Sequence, residues 1–113
     1  MPDSQWANEL PVAITVCDKQ RNIIYMNEKS KMTFSKDGGG NLIGQNLDNC
    51  HSVTSKQKIK QLIESKSSNI YTIKKNNKKK MIVQIPWFSD NEIMGLVEFS
   101  FEIPENINHF DRD

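Results

Sequence analysis

Apolar and polar residues alternate near the start of the chain in a pattern that predicts a β-hairpin. Val12–Cys17 is a β-branched run typical of a strand, and Ile23–Met26 is expected to be the return strand. The segment Asp18–Asn22 between them has turn chemistry. Asp18 can accept hydrogen bonds from downstream backbone amides, and Asn22 tolerates a left-handed backbone conformation.

Three further strands are predicted in the last third of the chain. We expect them over Ile70–Lys75, Lys80–Phe88 and Ile93–Ile103, with turns at Asn76–Asn77 and Ser89–Asn91. One face of the last strand is strongly apolar and is assigned to the core: Ile93, Gly95, Val97, Phe99 and Phe101. The opposite face mixes apolar and polar residues: Met94, Leu96, Glu98, Ser100 and Glu102.

Short helices are predicted on both sides of the first hairpin. Residues 3–9 form one that ends before Pro11, because the residue before a proline disfavours helical geometry. Asn27 is a good N-cap for a second helix over residues 28–34. The next segment, Ser35–Asn41, contains three consecutive glycines and is expected to be a flexible loop.

A longer helix is predicted after a single turn at residues 45–49, which directs Leu47 inward. Thr54 and Gln57 have the spacing of a capping box. Apolar residues then recur at helical intervals: Ile59, Leu62 and Ile63. The order β-β-α-α-α-β-β-β predicts an α+β fold, in which helices pack on one face of a five-stranded antiparallel sheet.

Length and charge limit the classes of function. The 113 residues suit one domain, with an N-terminal helical cap over 1–10, a core over 11–103 and a polar tail over 104–113. A net charge of +1 argues against nucleic-acid binding, so the lysines at 74–80 are expected to be a solvated hairpin tip. No signal peptide or membrane-length apolar run is present, which predicts a soluble, cytoplasmic protein without a membrane partner.

The sequence gives no support for catalysis or a metal site. Its two cysteines, Cys17 and Cys50, are too few for a disulfide framework or a four-ligand zinc site. No acid–base pair, activated nucleophile or phosphate-binding loop can be assembled from the remaining residues. We therefore expect a protein that is not an enzyme.

Several segments together resemble a PAS domain. Leu10–Asn27 is similar to the family's opening pattern of apolar strand, Asp, short turn, second strand and closing Asn. Ile43–Leu47, followed by Cys50–His51, resembles its helix-to-loop segment, and Gly95–Ser100 resembles its last strand. The resemblance covers roughly residues 8–104 and implies a sensory or signal-transduction module of the kind found in bacterial signalling.

Such a fold implies a pocket for a small-molecule ligand between the sheet and the helices. The side chains of Tyr25, Cys50 and His51 are the polar groups that could orient a ligand there. The complete predicted set is His51, Cys50, Tyr25, Met32, Leu47, Ile63, Val83, Ile85, Trp87, Val97 and Phe99.

Two alternatives to an unidentified small ligand stay open. A haem-based gas or redox sensor would use His51 as an axial ligand through its neutral imidazole. A filled core would instead make the chain a ligand-free interaction adaptor. A flavin is disfavoured, because flavin-binding PAS domains carry a phosphate-pairing arginine after their cysteine, and His51 follows Cys50 here. The cofactor is therefore unknown.

A homodimer is expected from the apolar residues assigned to the outer sheet face and the N-terminal helix. The predicted interface is Trp6, Leu10, Ile82, Met94 and Leu96. Because the chain has no room for an output domain, we expect it to act on a signalling partner in trans, or to be a fragment of a larger regulator.

Overall fold

A computed structural model describes residues 4–49 and 53–113. The strands in that part of the chain are β1 (Ala13–Asp18), β2 (Ile23–Met26), β3 (Asn69–Lys75), β4 (Lys78–Ser89) and β5 (Glu92–Glu102). The α-helices are α1 (Gln5–Asn8), α2 (Glu28–Thr33) and α3 (Val53–Ser65). Turns of 3-10 helix lie at Ser35–Asp37, Gly39–Leu42 and Leu47–Asn49. The predicted α+β class is confirmed.

The sheet brings the first and last strands together at its centre. Its order is β2-β1-β5-β4-β3, and every neighbouring pair is antiparallel. Val16 of β1 lies opposite Val97 of β5, and Val97 lies opposite Ile85 of β4. The N-terminal hairpin and the C-terminal three strands are therefore joined through the β1–β5 ladder.

Left-handed residues form the tight turns between strands. Asn76–Asn77 and Asp90–Asn91 all have positive φ, which is the geometry of two-residue hairpin turns and confirms both predicted turns. In the β1–β2 turn the left-handed residue is Arg21, with φ of 71°, and not Asn22 as predicted. Asn22 instead pairs with Asn46 in a β-bridge, and its amide donates to the Asp18 carboxylate at 2.9 Å.

The side chain of Asn27 is fully buried and makes four hydrogen bonds. Its oxygen accepts from the backbone amides of Ser30 at 3.0 Å and Ile14 at 2.9 Å. Its nitrogen donates to the carbonyls of Ala7 at 2.9 Å and Val12 at 2.7 Å. The predicted N-cap of α2 is confirmed, and the same amide also anchors α1 and β1.

The glycine-rich segment after α2 is built from 3-10 turns, where a flexible loop was predicted. Gly38 and Gly39 have φ of 119° and 53°, a region that glycine enters without steric cost. Gly39 is buried, and its amide donates to the carbonyl of Phe34 at 3.0 Å. The glycines allow the chain to turn tightly beside α2.

Both faces of the sheet are apolar, and different elements cover them. We call the face that carries Cys17 and Leu96 the helix-covered face, because both residues pack against α3. Its cluster of buried residues also contains Ile59, Leu62 and Ile63. We call the other face the open face; its cluster is Ala7, Ile14 and Val16, with partly buried Val12, Tyr25, Trp87, Val97 and Phe99 around them.

The predicted assignment of the two faces was wrong. Leu96 and Ile82 were placed on the outer surface, yet they are only 4% and 6% exposed on the helix-covered face. Val97 and Phe99 were placed under the helices, yet they pack beside α1 on the open face. The physical reason is that α3 packs against the face with smaller side chains, while the aromatic residues lie beside the four-residue helix α1.

Gly95 lies where two strands approach most closely. A Cβ atom there would overlap the carbonyl oxygen of Cys17, and the φ of Gly95 is 157°. The same carbonyl accepts a hydrogen bond from the indole nitrogen of Trp87 at 3.0 Å. The bare glycine therefore lets β5 pair with β1 while Trp87 packs across the junction.

We expect Asn27→Ala to lower the free energy of unfolding by about 3 kcal/mol, because it leaves buried amides and carbonyls without partners. Urea denaturation followed by circular dichroism measures this loss. The matched control is Asn108→Ala in the exposed C-terminal segment, which should change stability by less than about 0.5 kcal/mol. A similar small effect for both variants would contradict the role given to Asn27.

Candidate functional site

A cavity of about 460 Å³ lies between the helix-covered face and the segment that runs from α2 to the Leu47–Asn49 turn. This volume is within the range of small-molecule sites in proteins. The described residues that line it are Thr15, Ile23, Met26, Phe34, Asp37, Leu42, Leu47 and Glu98. Most of its wall is apolar, and its polar groups come from one side of the sheet and one 3-10 turn.

A second space of about 50 Å³ adjoins the first on the α3 side. The two share Thr15, Leu47 and Glu98 as lining residues. The smaller space reaches Ile59 and Leu96 in the cluster beneath α3. A ligand in the larger cavity therefore lies close to the packing between α3 and the sheet.

An ion pair holds one wall of the cavity in place. The guanidinium of Arg21 donates to both carboxylate oxygens of Asp48, at 2.7 and 2.8 Å. The amide of Leu47 also donates to the carbonyl of Arg21 at 2.8 Å. This bidentate geometry lowers the pKa of Asp48 through its hydrogen bond with Arg21. The β1–β2 turn thus fixes the position of Leu47 over the cavity.

A row of polar side chains crosses the helix-covered face at the level of the cavity. We call Thr15, Glu98, Gln84 and Asn69 the polar row; they are direct partners across β1, β5, β4 and β3. The Asn69 amide donates to the Gln84 oxygen at 3.1 Å, and the Gln84 amide donates to Glu98 at 2.9 Å. The Thr15 hydroxyl forms a 2.6 Å hydrogen bond with the hydroxyl of Ser30 in α2.

The charged lining residues that the structure describes are both acidic. Glu98 is half-buried at the sheet wall, and Asp37 is exposed in its 3-10 turn. Tyr71 also lies on the helix-covered face, opposite Ile82. Burial raises the pKa of the Tyr71 hydroxyl, with a further contribution from the Glu98 carboxylate. The charges that the described lining residues bring to the cavity are therefore negative.

Two of the predicted pocket residues lie on the helical side of the sheet. Leu47 lines both spaces, and Ile63 is a buried residue of α3 that lines neither of them. Met32 was predicted in the pocket but is 68% exposed on α2. Cys50 and His51 lie outside the described residues.

The remaining predicted pocket residues lie on the open face, away from the cavity: Tyr25, Val83, Ile85, Trp87, Val97 and Phe99. Tyr25 was expected to orient a ligand through its hydroxyl. That hydroxyl is instead buried on the open face and has no hydrogen-bond partner within residues 4–49 and 53–113.

Most of the residues that do line the cavity were missed by the sequence-based prediction: Thr15, Ile23, Met26, Phe34, Asp37, Leu42 and Glu98. The strand sequences did contain a signal that could have identified part of this lining. Thr15, Gln84 and Glu98 are polar residues in the middle of otherwise apolar strands, where a solvated position is not expected. Whether these three residues lie opposite one another depends on the strand register, and the alternation of apolar and polar residues does not determine that register.

Cys17 is a buried thiol on the helix-covered face, beside the smaller space. Burial raises its pKa to about 11, and the nearby Asp18 carboxylate adds to the increase. A thiol is nucleophilic only as its thiolate, so Cys17 is chemically quiet at neutral pH. The described part of the chain contains no cluster of three or more metal-ligating side chains, and none of its helices is long and apolar enough to cross a membrane.

We expect Cys17 to resist labelling in the folded protein. In a Cys50→Ser variant near pH 8, a disulfide reagent should react with Cys17 at least about 100-fold more slowly than after unfolding in urea, because its thiolate fraction is that much lower. Absorbance of the released thiol measures the rate. Prompt labelling of the folded variant would contradict the burial of this thiol.

No family model and no curated protein matches the sequence. Solved structures do. A sensory box sensor histidine kinase from Vibrio cholerae is 16% identical, with a TM-score of 0.64 over 91% of this chain and 90% of that one. A PAS domain from Colwellia psychrerythraea is 17% identical, with a TM-score of 0.64 over 93% and 97% of the two chains.

VqmA bound to DPO is a third similar structure. It is 14% identical, with a TM-score of 0.68, and the alignment covers 92% of this chain but 57% of that one. At these identities the likeness is one of fold.

Proposed function

The chain has a PAS-type fold, as predicted, and we propose that it is a non-catalytic sensory module that binds a small molecule. The observation that carries the proposal is the 460 Å³ cavity against the helix-covered face, with apolar walls and a polar row on one side. The similarity to a sensor histidine kinase and to VqmA bound to DPO supports a sensory role.

Ligand occupancy would act through the wall opposite the sheet. Phe34 and Leu42 line the cavity from the turns after α2, and Leu47 lines it from the turn tied to Arg21. The turns that carry Phe34 and Leu42 are held mainly by local hydrogen bonds, whereas the sheet is held by long ladders and the Leu47 turn is tied to Arg21. A bound molecule would therefore shift the packing of the turns and helices before it changes the sheet.

We expect the neutral probe 2-phenylethanol to bind saturably in the cavity. Amide signals of lining residues should shift in nitrogen–proton correlation spectra as the alcohol is added. Leu42→Trp should abolish the shifts, because the indole fills the space. The matched control is Ile43→Trp, at the neighbouring residue that does not line the cavity, and it should bind as the wild type does.

The alternatives give different results in the same preparation. No saturable binding, or binding that survives Leu42→Trp, would favour the ligand-free adaptor. A Soret band after haemin titration that disappears in His51→Ala would favour the haem sensor. Native mass spectrometry of the purified protein reveals any small molecule retained from the cell.

We infer that the module also pairs with a second copy through its open face. Exposed apolar side chains lie on this face and on α1: Trp6 is 72% exposed, Ile70 is 61% exposed and Phe101 is 36% exposed. Leu10, from the predicted interface, is also 36% exposed and follows Trp6 by four residues. Ile82 and Leu96 are excluded from the proposed interface because they are buried on the helix-covered face, and Met94 is excluded because it is partly buried.

We expect the wild-type protein to sediment as a dimer at micromolar concentration and Phe101→Glu to weaken the dimer at least about tenfold, because a carboxylate would be buried in an apolar contact. Analytical ultracentrifugation measures the equilibrium. Phe110→Glu is the matched control, since Phe110 is 68% exposed in the C-terminal segment. A monomeric wild type, or a dimer insensitive to Phe101→Glu, would overturn this pairing.

A further inference from the structure

The amide hydrogen bonds of the polar row end at the Glu98 carboxylate, which forms no ion pair within the part of the chain that the structure describes. The side-chain amide of Asn69 donates to Gln84, and the side-chain amide of Gln84 donates to Oε1 of Glu98. Both hydrogen bonds therefore point toward Glu98. Hydrogen bonds arranged in such a chain polarise one another. The terminal acceptor is Glu98, at the cavity wall.

The second oxygen of Glu98, Oε2, accepts no hydrogen bond from residues 4–49 or 56–113. No lysine, arginine or histidine in that part of the chain forms an ion pair with this carboxylate. A half-buried carboxylate held by one neutral amide is a costly arrangement beside apolar side chains. A ligand that brings a positive donor to Oε2 would remove much of this cost.

The other charged and polar groups of the lining also favour a ligand that carries a positive charge. Asp37 adds a second negative charge at the exposed end, and the described lining contains no basic side chain. Anions are therefore disfavoured in the cavity and cations are attracted to it. The Thr15 hydroxyl, next to Glu98 in the polar row, can accept a further hydrogen bond.

The apolar part of the cavity wall determines which uncharged group the ligand can carry. Ile23, Met26 and Phe34 line the cavity together with Leu42 and Leu47. These side chains favour an aromatic or branched alkyl body, and the volume limits that body to a small molecule.

We infer that the cavity takes a small organic amine, whose ammonium group donates to Glu98 while its apolar body lies against the aliphatic wall. This inference rests on the proposed sensory function and names the chemical class of its ligand. It uses residues of the helix-covered face and of the turns that close the cavity, and so does not depend on pairing through the open face.

Three probes of nearly equal shape test the charge preference: 2-phenylethylamine, 2-phenylethanol and phenylacetate. We expect the amine to bind at least about tenfold more tightly than the alcohol, and phenylacetate to bind most weakly, because a charge-assisted hydrogen bond is stronger than a neutral one. Titration by nitrogen–proton correlation spectra at low salt gives the three values of Kd.

The variant Glu98→Gln removes the charge and keeps the shape of the side chain. It should weaken binding of the amine about tenfold and leave binding of the alcohol within about twofold, so the alcohol reports that the cavity is intact. Glu102→Gln is the matched control, because Glu102 lies on the same strand, carries the same charge and is absent from the cavity lining. It should leave all three affinities unchanged.

The outcomes separate this inference from the proposed function. Equal binding of amine and alcohol, or an amine preference that survives Glu98→Gln, would overturn the amine and leave the ligand-binding module standing. If none of the three probes binds, the sensory cavity itself is overturned and the amine with it. An equal loss in Glu98→Gln and Glu102→Gln would assign the preference to overall charge, which also overturns a specific contact with Glu98.

Discussion

One buried amide, Asn27, joins elements on opposite faces of the sheet. Ala7 and Val12, to which it donates, belong to the open-face cluster or pack against it. Ser30, from whose backbone it accepts, bonds through its hydroxyl to Thr15 in the polar row. A buried amide is tolerated only when its donors and acceptors are paired, so α1, β1 and α2 form one arrangement. The cavity wall depends on that arrangement because it begins where α2 is capped.

The two apolar faces of the sheet differ in the size of their side chains and in the elements that cover them. The helix-covered face carries small and medium side chains such as Cys17 and Leu96, and it leaves space for α3 and for a cavity. The open face carries larger side chains such as Trp87 and Phe99, and within the described residues the four-residue helix α1 packs on part of it. An apolar face with so short a cover is typical of a surface that contacts another protein. The proposed ligand site and the proposed pairing surface therefore lie on opposite sides of the sheet.

The sequence allowed turns, a helix cap and strand segments to be predicted, but it did not allow the face of the sheet that α3 covers to be predicted. The Asn76–Asn77 turn and the Asn27 cap were predicted because each is determined within a few residues. The sequence pattern also predicted the strand segments, since alternation is a local property. Which face α3 would cover depends on contacts between distant segments, and so the roles of Leu96 and Phe99 were exchanged. Glu98 was not predicted for the same reason, because its partners Thr15 and Gln84 lie on two other strands.

The hydrogen bonds of Asn27 have a thermodynamic consequence for signalling. They tie α1, beside the surface proposed for pairing, to α2, beside the proposed ligand site. Coupling between two binding events is reciprocal: a ligand that strengthens pairing by some factor is itself bound more tightly by the paired form by the same factor. The concentration of the protein in the cell would then set its sensitivity to the ligand. A module built in this way would report the amount of its ligand and the abundance of its own chain in a single response.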